Sequence, residues 1–209
     1  MIMPEGATIF SVVTTGVYCR PSCAARPKPE NVRFHATREE AERAGFRPCK
    51  RCKPEREALS VAVGETSLGL TLVARSAKGV CAVLFGASRA ALLRDLRERF
   101  PSEVFVHETA DLERFVDGSD FALDLRGTAF QQKVWSALRR IPCGKTASYA
   151  DIARRIGRPS ATRAVAGACA ANPVAVAVPC HRVVRSDGSL SGYRWGTARK
   201  ERLLAREAA

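Results

Sequence analysis

Four cysteines near the N-terminus constrain the fold of this chain more than any other feature. Cys19 and Cys23 have three residues between them, Cys49 and Cys52 have two, and 25 residues separate the two pairs. Two close pairs on two turns are what a tetrahedral zinc site of four thiolates requires. A redox pair at Cys49-Lys-Arg-Cys52 and four unconnected cysteines are the alternatives. Spacing alone also does not separate a structural zinc site from one with a reactive thiolate.

Basic residues are concentrated in the last third of the chain. The sequence has 34 Lys and Arg against 21 Asp and Glu, a formal net charge of +13, and residues 127–209 alone carry +11. Such a surface attracts polyanions, chiefly nucleic acid or an anionic membrane. No apolar run reaches the roughly 18 residues of a transmembrane helix, and the N-terminal residues lack the plan of a signal peptide. We therefore expect a cytoplasmic protein with reduced thiols that does not enter a membrane.

The middle of the chain, residues 58–126, has the pattern of a small α/β unit. Alternating apolar residues predict strands over Ser67–Arg75 and Val80–Phe85 with a hairpin turn between them, and a further strand over 121–125. A helix is predicted from Ser88 to about residue 100. Nothing in this unit indicates chemistry, so we expect it to support the segments on either side.

Residues 127–209 are mainly helical. Thr128 predicts the N-cap of a helix that runs to Ile141, Ser148 that of a second helix and Ser160 that of a third. The second and third helices are short and are separated by a Gly-Arg-Pro turn, which matches a helix-turn-helix. The third is mostly Ala and Gly, so its backbone can approach either another helix or DNA closely.

The segments around the four N-terminal cysteines resemble a known module. Thr14-Thr-Gly-Val-Tyr-Cys-Arg-Pro-Ser-Cys23 and Ala44-Gly-Phe-Arg-Pro-Cys-Lys-Arg-Cys52 are similar to the N-terminal domain of the bacterial adaptive-response proteins of the Ada family. The resemblance implies that the four cysteines hold one Zn²⁺ and that Cys19 accepts a methyl group from DNA phosphotriesters. It implies zinc ligands at Cys19, Cys23, Cys49 and Cys52, and contacts to the DNA backbone at Thr15, Arg26 and Arg47.

A second cysteine motif lies near the end of the sequence, in Val178-Pro-Cys-His-Arg-Val183. Cys180 follows an apolar run, where a cysteine is normally an inert core residue. The adjacent His181 is a base that can turn a thiol into a nucleophile at neutral pH. The residues themselves leave both interpretations open.

Several ordered motifs are similar to the O6-alkylguanine-DNA alkyltransferases. They are Gly127-Thr-Ala-Phe-Gln-Gln-Lys-Val-Trp135, Ile141-Pro-Cys-Gly-Lys-Thr-Ala-Ser-Tyr149, Asn172-Pro173 and Pro179-Cys-His-Arg-Val183. The likeness covers residues 60–209 and is strongest from residue 121 onward. It implies irreversible, single-turnover transfer of an alkyl group from the O6 atom of guanine in DNA to the cysteine of Pro-Cys-His-Arg.

The same resemblance implies roles for further residues. Cys180 takes the alkyl group, His181 deprotonates it through a water molecule, and Glu207 orients the histidine. Asn172 forms a hydrogen bond near the thiol. Tyr149 assists extrusion of the nucleotide and protonates the leaving guanine. Extrusion is needed because the O6 group is inside the duplex.

Two more residues are implied to contact the extruded nucleotide and the duplex. Arg163, in the third helix, fills the gap left in the base stack, and Tyr193 forms a wall of the pocket. Plainer alternatives are solvated charges at Arg163 and Glu207 and a core residue at Tyr149.

The sequence thus predicts an α+β protein with three parts. They are a four-cysteine zinc module at 1–57, an α/β (ribonuclease H-like) subdomain at 58–126 and a helical, winged helix-turn-helix-like catalytic subdomain at 127–209. We expect a monomer whose partner is double-stranded alkylated DNA and which needs no organic cofactor. The rival functions are a lesion-binding protein without transfer, a turnover hydrolase, and a DNA-binding regulator that senses damage through methylation of Cys19. No room exists between Cys52 and Val61 for the regulator-type domain of the adaptive-response proteins, which favours direct repair.

Overall fold

The structure is a computed structural model and describes residues 3–21, 23–54, 58–101 and 103–208. The chain divides into two compact units. The first comprises Met1–Leu59 with Phe100–Val106, and the second comprises Ser60–Arg99 with His107–Ala209. The predicted boundary after residue 57 falls at residues 55–57, which lie outside the described ranges. The division between 58–126 and 127–209 remains a prediction.

The first unit is built on a small sheet. Its elements are β1 (Ile9–Val12), β2 (Val17–Cys19), β3 (Val32–His35), α1 (Arg38–Arg43) and β4 (Arg47–Pro48). The strand order is β3-β1-β2-β4, with β1 antiparallel to β2 and β3, and β2 parallel to β4. Phe10 and Tyr18 are fully buried on this sheet. Two cysteines, Cys19 at the end of β2 and Cys23 after it, pack against the core around Phe10. Cys19 at the end of β2 and Cys49 after β4 therefore lie at the same end of these two parallel strands.

The α/β part of the second unit contains a three-stranded antiparallel meander. The elements from residue 58 to residue 107 are β5 (Ala58–Thr66), β6 (Gly69–Ser76), β7 (Gly79–Phe85), α2 (Arg89–Arg99) and β8 (Val104–His107). β5 pairs with β6 from Ser60↔Arg75 to Thr66↔Gly69, and β6 pairs with β7. Helix α2 packs against β6 and β7 through its buried residues Leu92 and Leu96.

The helical part supplies the remaining elements. They are α3 (Ala129–Arg139), β9 (Ala147–Ser148), α4 (Tyr149–Arg155), α5 (Thr162–Ala170), β10 (Val183–Val184) and α6 (Thr197–Ala208). Helices α4 and α5 form the predicted helix-turn-helix and both pack against α3. Strands β9 and β10 are parallel, with Val183 opposite Ala147. This pairing brings the start of α4 beside the Pro-Cys-His-Arg segment.

The predicted α+β class and the four-cysteine cluster are confirmed. Thr128 and Ser148 cap α3 and α4 with complete capping boxes, as predicted. Ser160 is not a cap, and that prediction is wrong. The N–H of Ala161 closes a turn onto the carbonyl of Arg158 at 2.9 Å, so Ala161 becomes the N-cap and α5 begins at Thr162.

The strand predicted over residues 121–125 is also wrong in extent. It is reduced to a single bridge between Val80 and Leu123. Val80 forms backbone hydrogen bonds with Ala122 and Asp124 at 2.8 and 2.9 Å. Asp124 then turns its carboxylate to Arg126 and Ser76, which ends the pairing.

Candidate active site and metal centre

Cys180 starts a short 3-10 helix and has only 5% of its surface exposed. The segment before it is tied to β7, because Val83 exchanges backbone hydrogen bonds with Pro173 and Ala175 at 2.9 and 3.0 Å. Val176 turns this segment with a φ of 67°, a left-handed conformation that is costly for a β-branched residue. A strained and anchored loop thus places the thiol.

Asn172 directs its side-chain amide at Cys180. Its Nδ2 donates to Sγ over 3.2 Å and to the carbonyl of Val178 over 2.8 Å, while its Oδ1 accepts from the N–H of Val174 at 2.9 Å. Burial raises the pKa of Cys180 to about 11, and the Asn172 hydrogen bond and the charge of Lys200 act in the opposite direction. The thiol is therefore protonated at neutral pH and needs a base to react.

His181 is fully buried and contacts a carboxylate of α6. Its Nε2 lies 2.8 Å from Oε1 of Glu207. Burial lowers the pKa of His181, and the hydrogen bond and charge of Glu207 only partly offset this, so the ring is neutral at neutral pH. Its Nδ1 is buried and has no hydrogen-bond partner among the described residues. A neutral ring that donates from Nε2 carries its lone pair on Nδ1, where it can accept a proton.

Arg182 holds Glu207 from the other side. Its Nε and Nη2 donate to the two carboxylate oxygens at 2.8 and 2.9 Å, and its Nη1 donates to the carbonyl of Ile141 at 2.6 Å. Burial alone would raise the pKa of Glu207, but the hydrogen bonds from His181 and Arg182 outweigh it and lower the pKa to about 2. Glu207 is thus ionised and fixed in a two-pronged contact, the geometry of the stronger ion pairs.

A buried lysine connects α6 to Tyr149. The Nζ of Lys200 donates to the carbonyl of Val183 at 2.5 Å and to Oγ of Ser191 at 2.8 Å. Ser191 Oγ lies 2.8 Å from the phenol oxygen of Tyr149. Burial raises the pKa of Tyr149, so the phenol keeps its proton at neutral pH. The result is a hydrogen-bonded chain from an ammonium group to a phenol.

Tyr193 forms an aromatic wall with Trp195. The two ring centroids are 5.2 Å apart in an edge-on contact, and Trp195 in turn contacts Phe85 at 5.8 Å. Burial raises the pKa of Tyr193, and a negative charge on Cys180 raises it further. An aromatic face of this kind suits a flat heterocycle.

The exposed face of α5 carries almost no side chain. Arg163, Ala164, Gly167 and Ala170 are exposed, whereas Val165 faces the core. A Cβ built on Gly167 would meet nothing within 4 Å, so packing within the described residues does not require glycine there. A bare helix face next to an arginine favours close approach of DNA over helix packing.

The four N-terminal cysteines converge in the first unit. The Sγ atoms of Cys19, Cys23, Cys49 and Cys52 all lie within 4.8 Å of one another. Burial and the neighbouring thiolates, of which Cys52 contributes most, raise the pKa of Cys19. Four thiolates at this separation repel one another unless a cation lies between them, and the set and spacing fit tetrahedral zinc.

A cleft of about 600 Å³ opens beside this cluster. Thr15, Arg26 and Arg47 are exposed and all line it, as does Cys19, although only 1% of the Cys19 surface is exposed. Three further basic residues line the same cleft, namely Lys28, Lys50 and Arg51. The structure therefore brings the three predicted backbone contacts together around the predicted acceptor, in a basic setting suited to phosphate.

Sequence reasoning missed three residues of the Cys180 site. Arg182 lies inside the Pro-Cys-His-Arg motif and Ser191 lies two residues before Tyr193, but the resemblance implies no role for either. Lys200 carried a signal that could have found it. It precedes Leu203 and Glu207 by three and seven positions, so it shares their buried helix face, where an unpaired lysine is exceptional.

Comparison with known proteins gives matches to both parts of the chain. Residues 129–209 match the family of the 6-O-methylguanine DNA methyltransferase DNA-binding domain, and residues 4–55 match the metal binding domain of Ada. The bifunctional transcriptional activator/DNA repair enzyme Ada of Escherichia coli is 36% identical and aligns with 98% of this chain and 92% of its own length. That alignment runs over 326 positions, which is 117 more than the 209 residues of this chain. This chain therefore has long gaps where the Escherichia coli protein has additional residues.

Solved structures agree with these matches. The O6-methylguanine methyltransferase of Mycobacterium tuberculosis has a TM-score of 0.59 and 32% identity, over 72% of this chain and 93% of its own. The enzyme of the same organism in complex with DNA has a TM-score of 0.58 and 34% identity, over 71% of this chain and 92% of its own.

The fold and the Cys180 site define the class of methylated-DNA–protein-cysteine methyltransferases. Within that class the chain belongs to the Ada family, as the relationship over nearly its whole length shows. Both resemblances predicted from the sequence are confirmed. One Zn²⁺ is assigned to the four-cysteine site by the metal-binding match together with the cluster of thiols. Among the described residues, no helix is both long and apolar enough to cross a membrane.

Proposed function

We propose that this protein repairs double-stranded alkylated DNA by moving the alkyl group from O6-alkylguanine to the Sγ of Cys180. The observation that carries the proposal is the arrangement around this thiol. Asn172 donates to Sγ, and a neutral His181 fixed by Glu207 lies next in the chain. A buried thiol with a raised pKa would be inert without such a base.

The step is a displacement at carbon. His181 takes the thiol proton through a water molecule, the sulfur forms a bond to the alkyl carbon, and the bond from that carbon to O6 of guanine breaks. Tyr149 supplies a proton to the guanine as its negative charge develops, and the chain of Ser191 and Lys200 supports the phenol. Glu207 is a positioning residue that stabilises the protonated ring. The thioether has no easy leaving group, so each molecule reacts once.

The remaining assignments follow from exposure and shape. Tyr193 forms the pocket wall for the extruded guanine, and Arg163 projects from the bare face of α5 to fill the vacated position in the stack. The net charge of +11 on residues 127–209 supports binding to the phosphate backbone. We further propose three domains, 1–57, 58–126 and 127–209, in a cytoplasmic monomer.

For the first unit, we propose that Cys19 accepts a methyl group from a DNA methylphosphotriester. The carbon leaves the phosphate oxygen, which becomes an ordinary phosphodiester anion, and forms a thioether with Sγ. Zinc, when bound, keeps the four sulfurs deprotonated and nucleophilic. Thr15, Arg26 and Arg47 line the cleft beside Cys19 and hold the backbone. Methylation removes one negative charge from the cluster, which should tighten binding to phosphates.

The decisive experiment is intact mass measurement and peptide mapping after mixing the protein with excess O6-methylguanine duplex. The expected result is one methyl group per molecule on Cys180, unchanged in Cys143→Ser, a variant of an exposed cysteine, and absent in Cys180→Ser. DNA binding without any gain in mass would instead make this a lesion-binding protein. A parallel reaction with methylphosphotriester DNA tests Cys19, and methyl on Cys49 or on none of the four would overturn that assignment.

A further inference from the structure

The C-terminal end of α5 lacks a cap of its own. Its last turn, which is fully described, has no basic residue, and the helix ends in Ala170 and Ala171 rather than in glycine. Helix ends leave carbonyl groups without partners inside the helix, and glycine or basic side chains commonly compensate for this. Something else must therefore satisfy these groups.

Each carbonyl of this helix end has an identified donor. The carbonyls of Gly167 and Cys169 accept from the backbone N–H groups of Ala171 and Asn172. The carbonyl of Ala168 accepts from the indole of Trp135 at 2.9 Å. Among the residues that the structure describes, the donors to the two that remain, the carbonyls of Ala170 and Ala171, are side chains from elsewhere in the sequence.

Two arginines supply these last contacts. Nη1 of Arg99, the last residue of α2, donates to the carbonyl of Ala171 at 3.1 Å. Nη1 of Arg194 donates to the carbonyl of Ala170 at 3.4 Å. A positive charge at this end also complements the negative pole of the helix dipole. In sequence, Arg99 lies 72 positions from Ala171 and Arg194 lies 24 positions from Ala170.

One carboxylate connects the two arginines. Oδ1 of Asp95 accepts from Nε of Arg99 at 2.9 Å and from Nη2 of Arg194 at 2.8 Å. The Arg99 and Asp95 side chains are 14% and 24% exposed, so this contact is better shielded from solvent than an ordinary surface ion pair. The three side chains form one network, which we call the α5 clamp.

The clamp ends beside Asn172 and Tyr193 in the sequence. Ala171 directly precedes Asn172, whose amide donates to Sγ of Cys180 at 3.2 Å. Arg194 directly follows Tyr193, the aromatic wall. A small displacement of either backbone would change the aim of the Asn172 amide or the position of the ring, because hydrogen bonds weaken steeply with angle and distance.

We propose that Asp95, Arg99 and Arg194 are positioning residues for alkyl transfer, which hold the end of α5 and through it the Asn172 amide on Cys180. The inference rests on the proposed function of Cys180 but assigns a role to three residues for which the resemblance implies none. It predicts that loosening the clamp changes the reactivity of the thiol itself, beyond any effect on stability.

The titratable groups around Cys180 determine how a change in the pKa of this thiol is interpreted. Among the described residues, His181, Lys200, Cys169, Tyr149 and Tyr193 are the titratable groups within electrostatic or sequence reach of Cys180. Substitution of Arg99 removes none of these groups, although it can move the Tyr193 ring through Asp95 and Arg194. A higher pKa of Cys180 in that variant that disappears in an Asn172→Ser background therefore reports the loss of the Asn172 hydrogen bond, which favours the thiolate.

The test compares Arg99→Met with Arg97→Met in the full chain. Arg97 is an exposed arginine of the same helix. Two quantities are measured, the single-turnover rate of methyl transfer to Cys180 and the pH dependence of Cys180 labelling by iodoacetamide, read by peptide mass. Arg99→Met should slow transfer about tenfold, the effect of losing one charged hydrogen bond, and shift the labelling midpoint to higher pH. Arg97→Met should match the wild type in both.

Further variants keep the inference falsifiable. If Arg99→Met does not fold, Asp95→Asn keeps the shape of the carboxylate and should show the same two changes to a smaller extent. In an Asn172→Ser background, Arg99→Met should not shift the labelling midpoint further, because the proposed effect of Arg99 on the Cys180 thiol passes through the Asn172 amide. An unchanged midpoint in folded Arg99→Met or Asp95→Asn, or an equal shift in the Asn172→Ser background, would overturn the role. Failure of the wild type to take up methyl would instead refute the proposed function.

Discussion

Oε1 of Glu207 lies 2.8 Å from Nε2 of His181, although the two are 26 positions apart in sequence. The same carboxylate is held by the fork of Arg182 at 2.8 and 2.9 Å. Glu207 therefore has a fixed position and a fixed charge, and the histidine ring has one orientation. In the proposed mechanism, the neighbouring thiol depends on that ring for its activation.

We expect Glu207→Gln to slow methyl transfer by about tenfold to a hundredfold, because the ring loses the charge that stabilises its protonated form. The measurement is the single-turnover rate with O6-methylguanine duplex. Glu201→Gln, an exposed position of the same helix, is the matched control and should be unaffected. A rate for Glu207→Gln equal to that of the control would remove Glu207 from the mechanism.

The same carboxylate makes stability depend on pH. Its folded-state pKa of about 2 is below the ordinary value of 4.5, so its contribution is fully present above pH 4.5 and is lost as pH falls toward 2. We expect this contribution to be on the order of 2 kcal/mol, and to be missing in Glu207→Gln. Urea unfolding at pH 7 and pH 3 measures it. Identical pH dependence in variant and wild type would contradict the assignment.

Substitution of Lys200 should slow methyl transfer while leaving the stability of the protein nearly unchanged. Lys200→Met removes a positive charge that favours the Cys180 thiolate, so the pKa of the thiol should rise and transfer should slow about tenfold. Stability should change little, because removal of a buried charge also removes its desolvation cost. Lys145→Met, at an exposed site, is the control. Unchanged transfer would show that the ammonium group does not act on the thiol.

Gly167 tests the bare face of α5. A helix interior favours alanine over glycine by about 0.5–1 kcal/mol, and the added Cβ meets open space, so Gly167→Ala should raise the melting temperature. DNA affinity should fall, and more so in Gly167→Leu, because the backbone can no longer approach the duplex as closely. Titration with labelled duplex at fixed salt measures this. Full affinity in the leucine variant would exclude α5 from the interface.

Zinc should matter to the first unit and not to alkyl transfer at Cys180. Metal analysis should find one zinc per chain in the wild type and in Cys143→Ser, but none in Cys23→Ser. Loss of zinc should remove slow hydrogen exchange from β1 and β2, because structural zinc sites contribute directly to folding. Retention of that protection without metal would mean that the sheet core alone stabilises the unit.

The functional motifs were readable from the sequence because local signals and chemistry coincide there. Thr128 and Ser148 are capping residues followed by an apolar period, and both cap their helices as predicted. The spacing of the four cysteines is visible in the sequence and predicts a zinc site, and this prediction is confirmed. At Ser160 the local signal misled, because the turn closed by Ala161 onto Arg158 moved the start of α5 by one residue.

Other features depend on partners that are distant in sequence. Strand β5 is rich in Ala, Ser and Gly, which have weak strand preferences, and pairing with β6 from Ser60↔Arg75 onward overrides them. The sheet of the first unit was missed because its strands have two to four residues. The spacing to Leu203 places Lys200 on the buried face of its helix, but it does not identify the partners of the ammonium group, the carbonyl of Val183 and Ser191, which come from an earlier segment.

The contribution of α6 to the site has a consequence during synthesis. The ribosome makes Cys180 and His181 before it makes Lys200 and Glu207, the groups on α6 that tune the thiol and orient the ring. In the proposed mechanism, the thiol has no oriented base until that helix emerges and docks, so Cys180 of an unfinished chain is unreactive. On this mechanism the protein can react with a lesion only once this unit has folded, which prevents a protein that reacts once from being inactivated during its own synthesis.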